Sequence, residues 1–300
     1  MGAPEVSAHA GGMRGATRAS TGGVDVEPVL EGSATLPPAR VYDEQFVPAL
    51  FRPWGPLLAD SAGVSVGAHV LDVACGTGAL TCQLPERVGE QGRVVGLDAS
   101  AEMLAVARTK PERVEWVEGR AEALPFSDAS FDAVVSQFGL MFFDDRARAL
   151  AEMKRVLRPP GRLAVAVWDH VEHAPGYAIL ARLLDELFGA TVGDAFRAPF
   201  VLGDAQKLLA SCAEAGIRDA SVEVHPGTVR FTSLDAMLRT ERACVWTLGG
   251  LLDDTQFARL LSRARPALSA FVASDGSIEF ACPALLLTAA RDTARRERAG

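Results

Sequence analysis

Apolar residues recur along the chain in short continuous runs separated by longer amphipathic stretches. HVLDVA (69–74), RVVGLD (93–98), RVEWVE (113–118), FDAVVSQF (131–138) and GRLAVAVW (161–168) are rich in β-branched residues and read as strands, most of them buried on both faces. The stretches between them have the length a crossover helix needs. In ARALAEMKRVL (147–157), Leu150, Met153, Val156 and Leu157 fall on one helical face and Pro159 supplies the stop. SIEFACPALLLTAAR (277–291) reads as a closing strand. Such alternation predicts an α/β fold: a doubly wound, mostly parallel sheet covered by helices, with ligands beyond the carboxyl ends of its strands.

Outside this region the pattern changes. Residues 1–36 are Gly-, Ala-, Ser- and Thr-rich with few large apolar side chains, too few to offset ordering entropy, so a disordered N-terminal tail is expected before a domain over 37–300. Tyr42, Phe46, Leu50, Trp54 and Leu57 recur at helical spacing, with Pro48, Pro53 and Pro56 breaking the segment into short pieces. Two helical insertions are expected, at about 174–203 and 232–272. The first carries Ile179, Leu180, Leu183, Leu184 and Leu187 as an apolar stripe; the second carries Met237, Leu238, Val245 and Trp246. With the aromatic segment 42–54 they are expected to form an apolar lid.

Composition narrows the partners. The 300 residues are 49% hydrophobic with a formal net charge of −8, and Lys and Arg are scattered singly, which argues against nucleic acid as a ligand. No apolar stretch reaches the length of a membrane span and no signal peptide is evident, so a cytoplasmic chain without membrane partners is expected. The five cysteines are irregularly spaced without a C-x-x-C pair, and His170 and His173 form a lone H-x-x-H, so no metal is expected. No pattern speaks to oligomeric state.

The chemistry concentrates after the first strand. Gly76 and Gly78 follow a buried run that contains Asp72, a helix follows them, and Asp98 ends the second strand twenty residues after Gly78. Together these point to a nucleoside site in which Asp98 accepts hydrogen bonds from ribose hydroxyls. A dinucleotide fold wants a third glycine where Thr81 stands. The run Asp72-Val73-Ala74-Cys75-Gly76-Thr77-Gly78 resembles instead the D-x-[GA]-x-G-x-G first motif of class I S-adenosylmethionine-dependent methyltransferases. Residues 119–168, from GRAEALPF to GRLAVAVW, are similar to the central stretch of the type 11 methyltransferases, which include the ubiquinone and menaquinone biosynthesis enzymes.

That resemblance implies a Rossmann-like, seven-stranded, mostly parallel sheet and S-adenosyl-L-methionine as cofactor. It implies that Asp72 helps hold the cofactor's amino-acid end, with Ala74, Cys75, Gly76 and Gly78 around it, and that Ala99 and Met103 accompany Asp98. It places Arg120, Ala121 and Glu122 around adenine and Ser136, Gln137 and Phe138 beside the reactive methyl. Relatives commonly carry an acid where Arg120 stands. The apolar lid fits a small, largely apolar acceptor, such as secondary metabolism supplies, with oxygen, nitrogen or carbon as the methylated atom. Tyr42, Phe46, Met141, His173 and Trp246 are candidates for its pocket; the sequence does not identify a general base among its histidines and carboxylates, and His173 is the best candidate, on location alone. Trp116 and Trp168 are expected in the core. A nicotinamide-dependent oxidoreductase and a non-catalytic cofactor-binding sensor or partner subunit are the alternative readings.

Overall fold

The computed structural model describes residues 36–110 and 113–291. The expected disordered tail lies outside the described residues, save Leu36. Nine strands are present among them: β1 (His69–Val73), β2 (Arg93–Asp98), β3 (Glu115–Glu118), β4 (Phe131–Gln137), β5 (Leu157–Trp168), β6 (Ser221–His225), β7 (Thr228–Phe231), β8 (Ile278–Ala281) and β9 (Ala284–Ala290). Seven form one sheet in the order β3-β2-β1-β4-β5-β9-β6. The pairs among β1 to β5 are parallel, and β9 runs antiparallel to both β5 and β6. This is the seven-stranded, doubly wound, mostly parallel sheet that the sequence pattern and the resemblance predict.

Burial explains the texture of the central strands. Val70, Leu71 and Val73 of β1 are fully buried because β2 and β4 flank the strand while helices cover its faces. Strand order reverses between β1 and β4, so their carboxyl ends diverge and open a crevice. The helix Arg146–Val156 is capped by Asp145, whose side chain accepts from the Arg148 amide, and packs Leu150 and Met153 into the core.

Four expectations need correction. Leu157 is not on the helical face of Leu150 and Met153: the helix ends at Val156, and Leu157 opens β5 opposite Phe131. Arg158 precedes a proline and is driven to extended backbone, so a strand can start there but a helix cannot continue. The segment 277–291 is two strands, with Pro283 interrupting the ladder. β8 pairs with β7 in a separate two-stranded sheet, and β9 alone joins the main one. β6 and β7, read as neither strand nor helix from the sequence, are joined through Pro226 and Gly227. The third strand starts at Glu115 rather than Arg113.

The segment before β1 is a chain of helical pieces: Pro38–Val41, a π-helical stretch Tyr42–Phe51, a 3₁₀ turn Arg52–Trp54 and the helix Gly55–Ser61. Prolines open three of them, while Pro48 lies inside the π-helical stretch rather than breaking it. The insertions are helical. The first holds Pro175–Phe188 and Ala190–Arg197, the second Leu234–Ala243 and Asp254–Ala267. Leu180, Leu184, Met237 and Leu238 are fully buried in the same apolar cluster as the sheet. Val245 departs from its stripe: it lies past the end of Leu234–Ala243 and is exposed. Among the described residues no helix is long and apolar enough to cross a membrane, and no cluster of three or more metal-ligating side chains comes together.

Candidate active site

The crevice at the reversal of strand order opens into a cavity of about 410 Å³. Its floor is the turn after β1. Ala74, Gly76 and Gly78 have φ of 59°, 56° and 88°, a left-handed sequence that lifts the backbone off the strand end. Gly78 also needs its missing side chain, since a Cβ there would come within 2.6 Å of the Trp116 ring.

Asp98 organises this floor. Its Oδ2 accepts from the Gly76 amide at 2.7 Å and its Oδ1 from the Ser100 amide at 2.8 Å, so one carboxylate ties the β1 turn to the start of the helix Ala101–Ala107. Each oxygen keeps a further lone pair toward the cavity. Burial raises its pKa, and the amide bonds pull the other way.

Asp72 sits behind the turn. It is 1% exposed, its Oδ2 accepts from Thr81 Oγ1 at 2.6 Å, and its Oδ1 has no partner. Burial, with the Asp98 charge adding to it against the Thr81 bonds, pushes its carboxyl up to about 7. A buried carboxyl with one orphaned oxygen is costly unless a ligand or cation completes it.

Around the cavity wall the structure brings together Tyr42, Phe46, Ala74, Gly76, Asp98 and Ala99 of the expected residues. It adds Met103, Arg120, Ala121, Glu122, Gln137, Phe138 and Trp246. Glu122 Oε1 accepts from the Asp144 amide, and Arg120 bridges Glu122 and Asp144 at 3.3 and 2.6 Å. Gln137 donates to the Phe51 carbonyl at 3.2 Å while its buried Oε1 stays unpartnered.

Six expected residues do not line the cavity. Asp72 is behind the turn, Cys75 is buried against Gly96, and Gly78 is covered by Trp116. Ser136 is fully buried, and Met141 points into the core from the 3₁₀ turn Leu140–Phe142. His173 is turned away: its Nδ1 lies 2.8 Å from Asp169 Oδ2 and its ring is mostly in solvent, which corrects both its pocket and its base assignments.

Several lining residues escaped the sequence reading: Phe51, Phe142, Tyr177, Phe196, Glu241 and Thr247. Trp168, expected in the core, also reaches the wall, stacked on Phe138 at 3.7 Å. Its place at the carboxyl end of β5 was the available signal. Glu241 falls seven residues after Leu234 and three after Leu238, on the buried face of its helix, a spacing visible in the sequence.

The family model that matches the chain is described as a methyltransferase domain, type 11, and covers residues 71–165, from β1 into β5. Over residues 71–165, then, the chain matches the type 11 methyltransferase domain. It is 43% identical over 122 residues to the chloroplastic 2-phytyl-1,4-beta-naphthoquinone methyltransferase of Arabidopsis thaliana, covering 38% of this chain and 47% of that protein. Against the ubiquinone/menaquinone biosynthesis C-methyltransferase of Hahella chejuensis it is 47% identical over 122 residues, 39% of this chain and 49% of that one. The chain thus spans about half the length of these curated relatives. Among solved structures, the YcgJ protein of Bacillus subtilis matches with a TM-score of 0.54 at 19% identity over 80% of this chain and 98% of that one. Phosphoethanolamine N-methyltransferase 2 of Haemonchus contortus, in complex with S-adenosylhomocysteine, matches with a TM-score of 0.54 at 18% identity, over 85% and 57%. At such identities the structural likeness is one of fold. The methyltransferase domain so delimited supplies the floor and one wall of the cavity, while Tyr42, Tyr177, Glu241 and Trp246 come from outside it.

Proposed function

We propose that the chain is an S-adenosylmethionine-dependent methyltransferase acting on a small, largely apolar acceptor. The observation that carries this reading is the continuity of the cavity. One end is the glycine turn with Asp98 and residues 120–122, and the other is an aromatic and apolar lid. The residues fit the cofactor: Asp98, on the cavity wall, offers lone pairs to ribose hydroxyls, and Asp72, directly behind the glycine turn, keeps one buried oxygen without a partner as a counter-charge for an ammonium group. When bound, the cofactor supplies a methyl group already activated by its sulfonium charge. The chain's task is then to orient the acceptor and exclude water. Phe51, Phe138 and Trp168, with ring centroids within 6.0 Å of one another, make a dry wall suited to a flat or apolar acceptor. The quinone substrates in the names of the curated relatives agree with an acceptor of that character.

Thr81 argues against the nicotinamide alternative. Its side chain is fully buried and bonded to Asp72, where a dinucleotide fold keeps a glycine for close helix packing. Calorimetry with S-adenosylmethionine, S-adenosylhomocysteine and NADH tests the reading. Micromolar binding of the first two is expected, and binding of NADH alone would reverse it. Asp98→Ala is expected to weaken cofactor binding about 10- to 100-fold, as for loss of charge-assisted hydrogen bonds; unchanged affinity would remove that residue from the site. Release of S-adenosylhomocysteine with any member of an acceptor panel separates an enzyme from a non-catalytic binder.

A further inference from the structure

Among the polar side chains at the lid end of the cavity, which include Thr247 and Cys244, two are left unused by the methyl-transfer reading, the Glu241 carboxyl and the Tyr177 phenol. Both line the cavity, and they are 1% and 3% exposed. Neither Glu241 Oε2 nor Tyr177 Oη has a partner at full hydrogen-bond geometry, although the two groups face each other and Glu241 also lies beside Thr247. Glu241 shares the buried face of its helix with Leu234, Met237 and Leu238, and Tyr177 sits in the first turn of Pro175–Phe188. Phe196, Phe200 and Phe280 surround the tyrosine ring edge-on at 5.1 to 5.9 Å. Among the described residues no Lys, Arg or His pairs with Glu241, whose titratable neighbours are Tyr177, Cys244 and Cys282. Burial pushes its carboxyl up to about 7, and burial with the Glu241 charge raises the Tyr177 phenol well above its ordinary range. Two adjacent buried polar groups whose contact falls short of full hydrogen-bond geometry are incompletely satisfied in the empty protein, and a ligand group placed between them improves both.

We propose that Glu241 and Tyr177 form a hydroxyl-recognition subsite that selects a neutral, ring-bearing acceptor carrying a phenolic or enolic O–H. The proposal rests on the methyltransferase reading only for calling the cavity an acceptor site. One hydroxyl completes both groups, because its O–H donates to the carboxylate while its oxygen accepts from Tyr177. An ammonium has donors and no acceptor, so it leaves the Tyr177 proton unmatched. A carbonyl only accepts, and serves both groups only while Glu241 keeps its proton.

The test titrates 1-naphthol, naphthalene and 1-naphthylmethylamine into the full chain at pH 8, with and without S-adenosylhomocysteine. Wild type is compared with Glu241→Gln, Glu241→Leu and Tyr177→Phe. Wild type is expected to prefer 1-naphthol to naphthalene by about tenfold or more. Tyr177→Phe, which removes a single oxygen, and Glu241→Gln should each lose about three- to tenfold of that preference. Glu241→Leu should abolish it, with naphthalene bound at least as tightly as by wild type. Equal binding of 1-naphthol and naphthalene, undetectable 1-naphthol binding, or a preference for the amine indifferent to Tyr177→Phe would each overturn the subsite. Failure of wild type to bind S-adenosylhomocysteine would instead overturn the methyltransferase reading, since the 1-naphthol preference is read without that compound as well.

Discussion

Ala74 and Phe138 have φ of 59° and 55°, and they end the two strands between which the strand order reverses. Left-handed backbone costs a residue with a Cβ about 1 kcal/mol or more, so the expense falls where a ligand crevice needs its two lips turned back. The lips also touch, since a Cβ on Gly139 would lie 2.5 Å from the Ala74 Cβ. Ala74→Gly is therefore expected to raise stability by about 1 kcal/mol, read by urea unfolding, because glycine adopts that φ without strain. Asp72 makes the complementary case. Its folded pKa, about 7, stands above the unfolded value, so the native state holds the proton more tightly. Asp72 then costs stability as pH rises from about 4 to 7, with a slope of up to about 1.4 kcal/mol per pH unit, and the cost stays constant above that. Asp72→Asn keeps an acceptor for Thr81 and mimics the protonated acid. It should be more stable than wild type at pH 8, and the difference should shrink below pH 7 and vanish near pH 4. A difference independent of pH would show that the group does not titrate in this window. The same variant is expected to weaken cofactor binding, which is the return for keeping a destabilising acid.

At the scale of elements, the end of the chain fastens the helix that follows β4. Nη1 of Arg291, just beyond β9, lies 2.8, 2.7 and 2.6 Å from the carbonyls of Lys154, Arg155 and Leu157, where the helix Arg146–Val156 gives way to β5. The Lys154 and Arg155 carbonyls have no intrahelical partner, Arg155's accepting also from the Ala129 amide, and the two N–H groups of Nη1 are shared among the three carbonyls at the negative end of the helix. Arg291→Ala should cost about 1–3 kcal/mol in urea unfolding, with Arg291→Lys recovering part of the loss; no change would mean that water serves those carbonyls equally well. This contact joins residues more than 130 apart and leaves no local trace in the sequence. The contrast tells what was legible. β1, β2, β4 and β5 are continuous buried runs ended by turn residues, so their apolar pattern sufficed, and the glycine turn with Asp98 followed from spacing alone. β6 is an edge strand with most of its side chains exposed, and β7 and β8 are four-residue strands in a side sheet. Short or exposed strands bury too little to leave a pattern above background. In the site, residues on strand ends were recoverable, while Tyr177, Phe196 and Glu241 come from helices whose direction over the sheet is a tertiary outcome.

On the scale of the whole molecule, three stretches far apart in sequence meet over the cavity. Tyr42 stacks on Phe51 at 5.2 Å and meets Trp246 of the second insertion at 5.9 Å. Tyr42 also covers the glycine turn, where a Cβ on Gly76 would lie 3.8 Å from its ring. A polar latch holds this arrangement. Thr77 Oγ1 donates to Asp43 Oδ1 at 2.7 Å, Lys110 Nζ pairs with the same carboxylate, and Lys110 donates to the Thr77 carbonyl at 2.7 Å. Asp43 thus couples the segment before β1 to the floor of the site, through groups partly shielded from solvent and so less screened than a surface pair. If that coupling keeps the aromatic segment over the cavity, Asp43→Ala should speed amide exchange across 42–51 while leaving exchange in β1 and β4 unchanged. It should also weaken S-adenosylmethionine binding about three- to tenfold by loosening the wall that excludes water. Asp43→Asn keeps an acceptor for Thr77 and loses only the charge that attracts Lys110, so its effect should fall between wild type and Asp43→Ala and diminish in high salt. Exchange rates over 42–51 unaltered in Asp43→Ala would show that aromatic packing alone holds the segment down, and the latch would then have no mechanical part in the site.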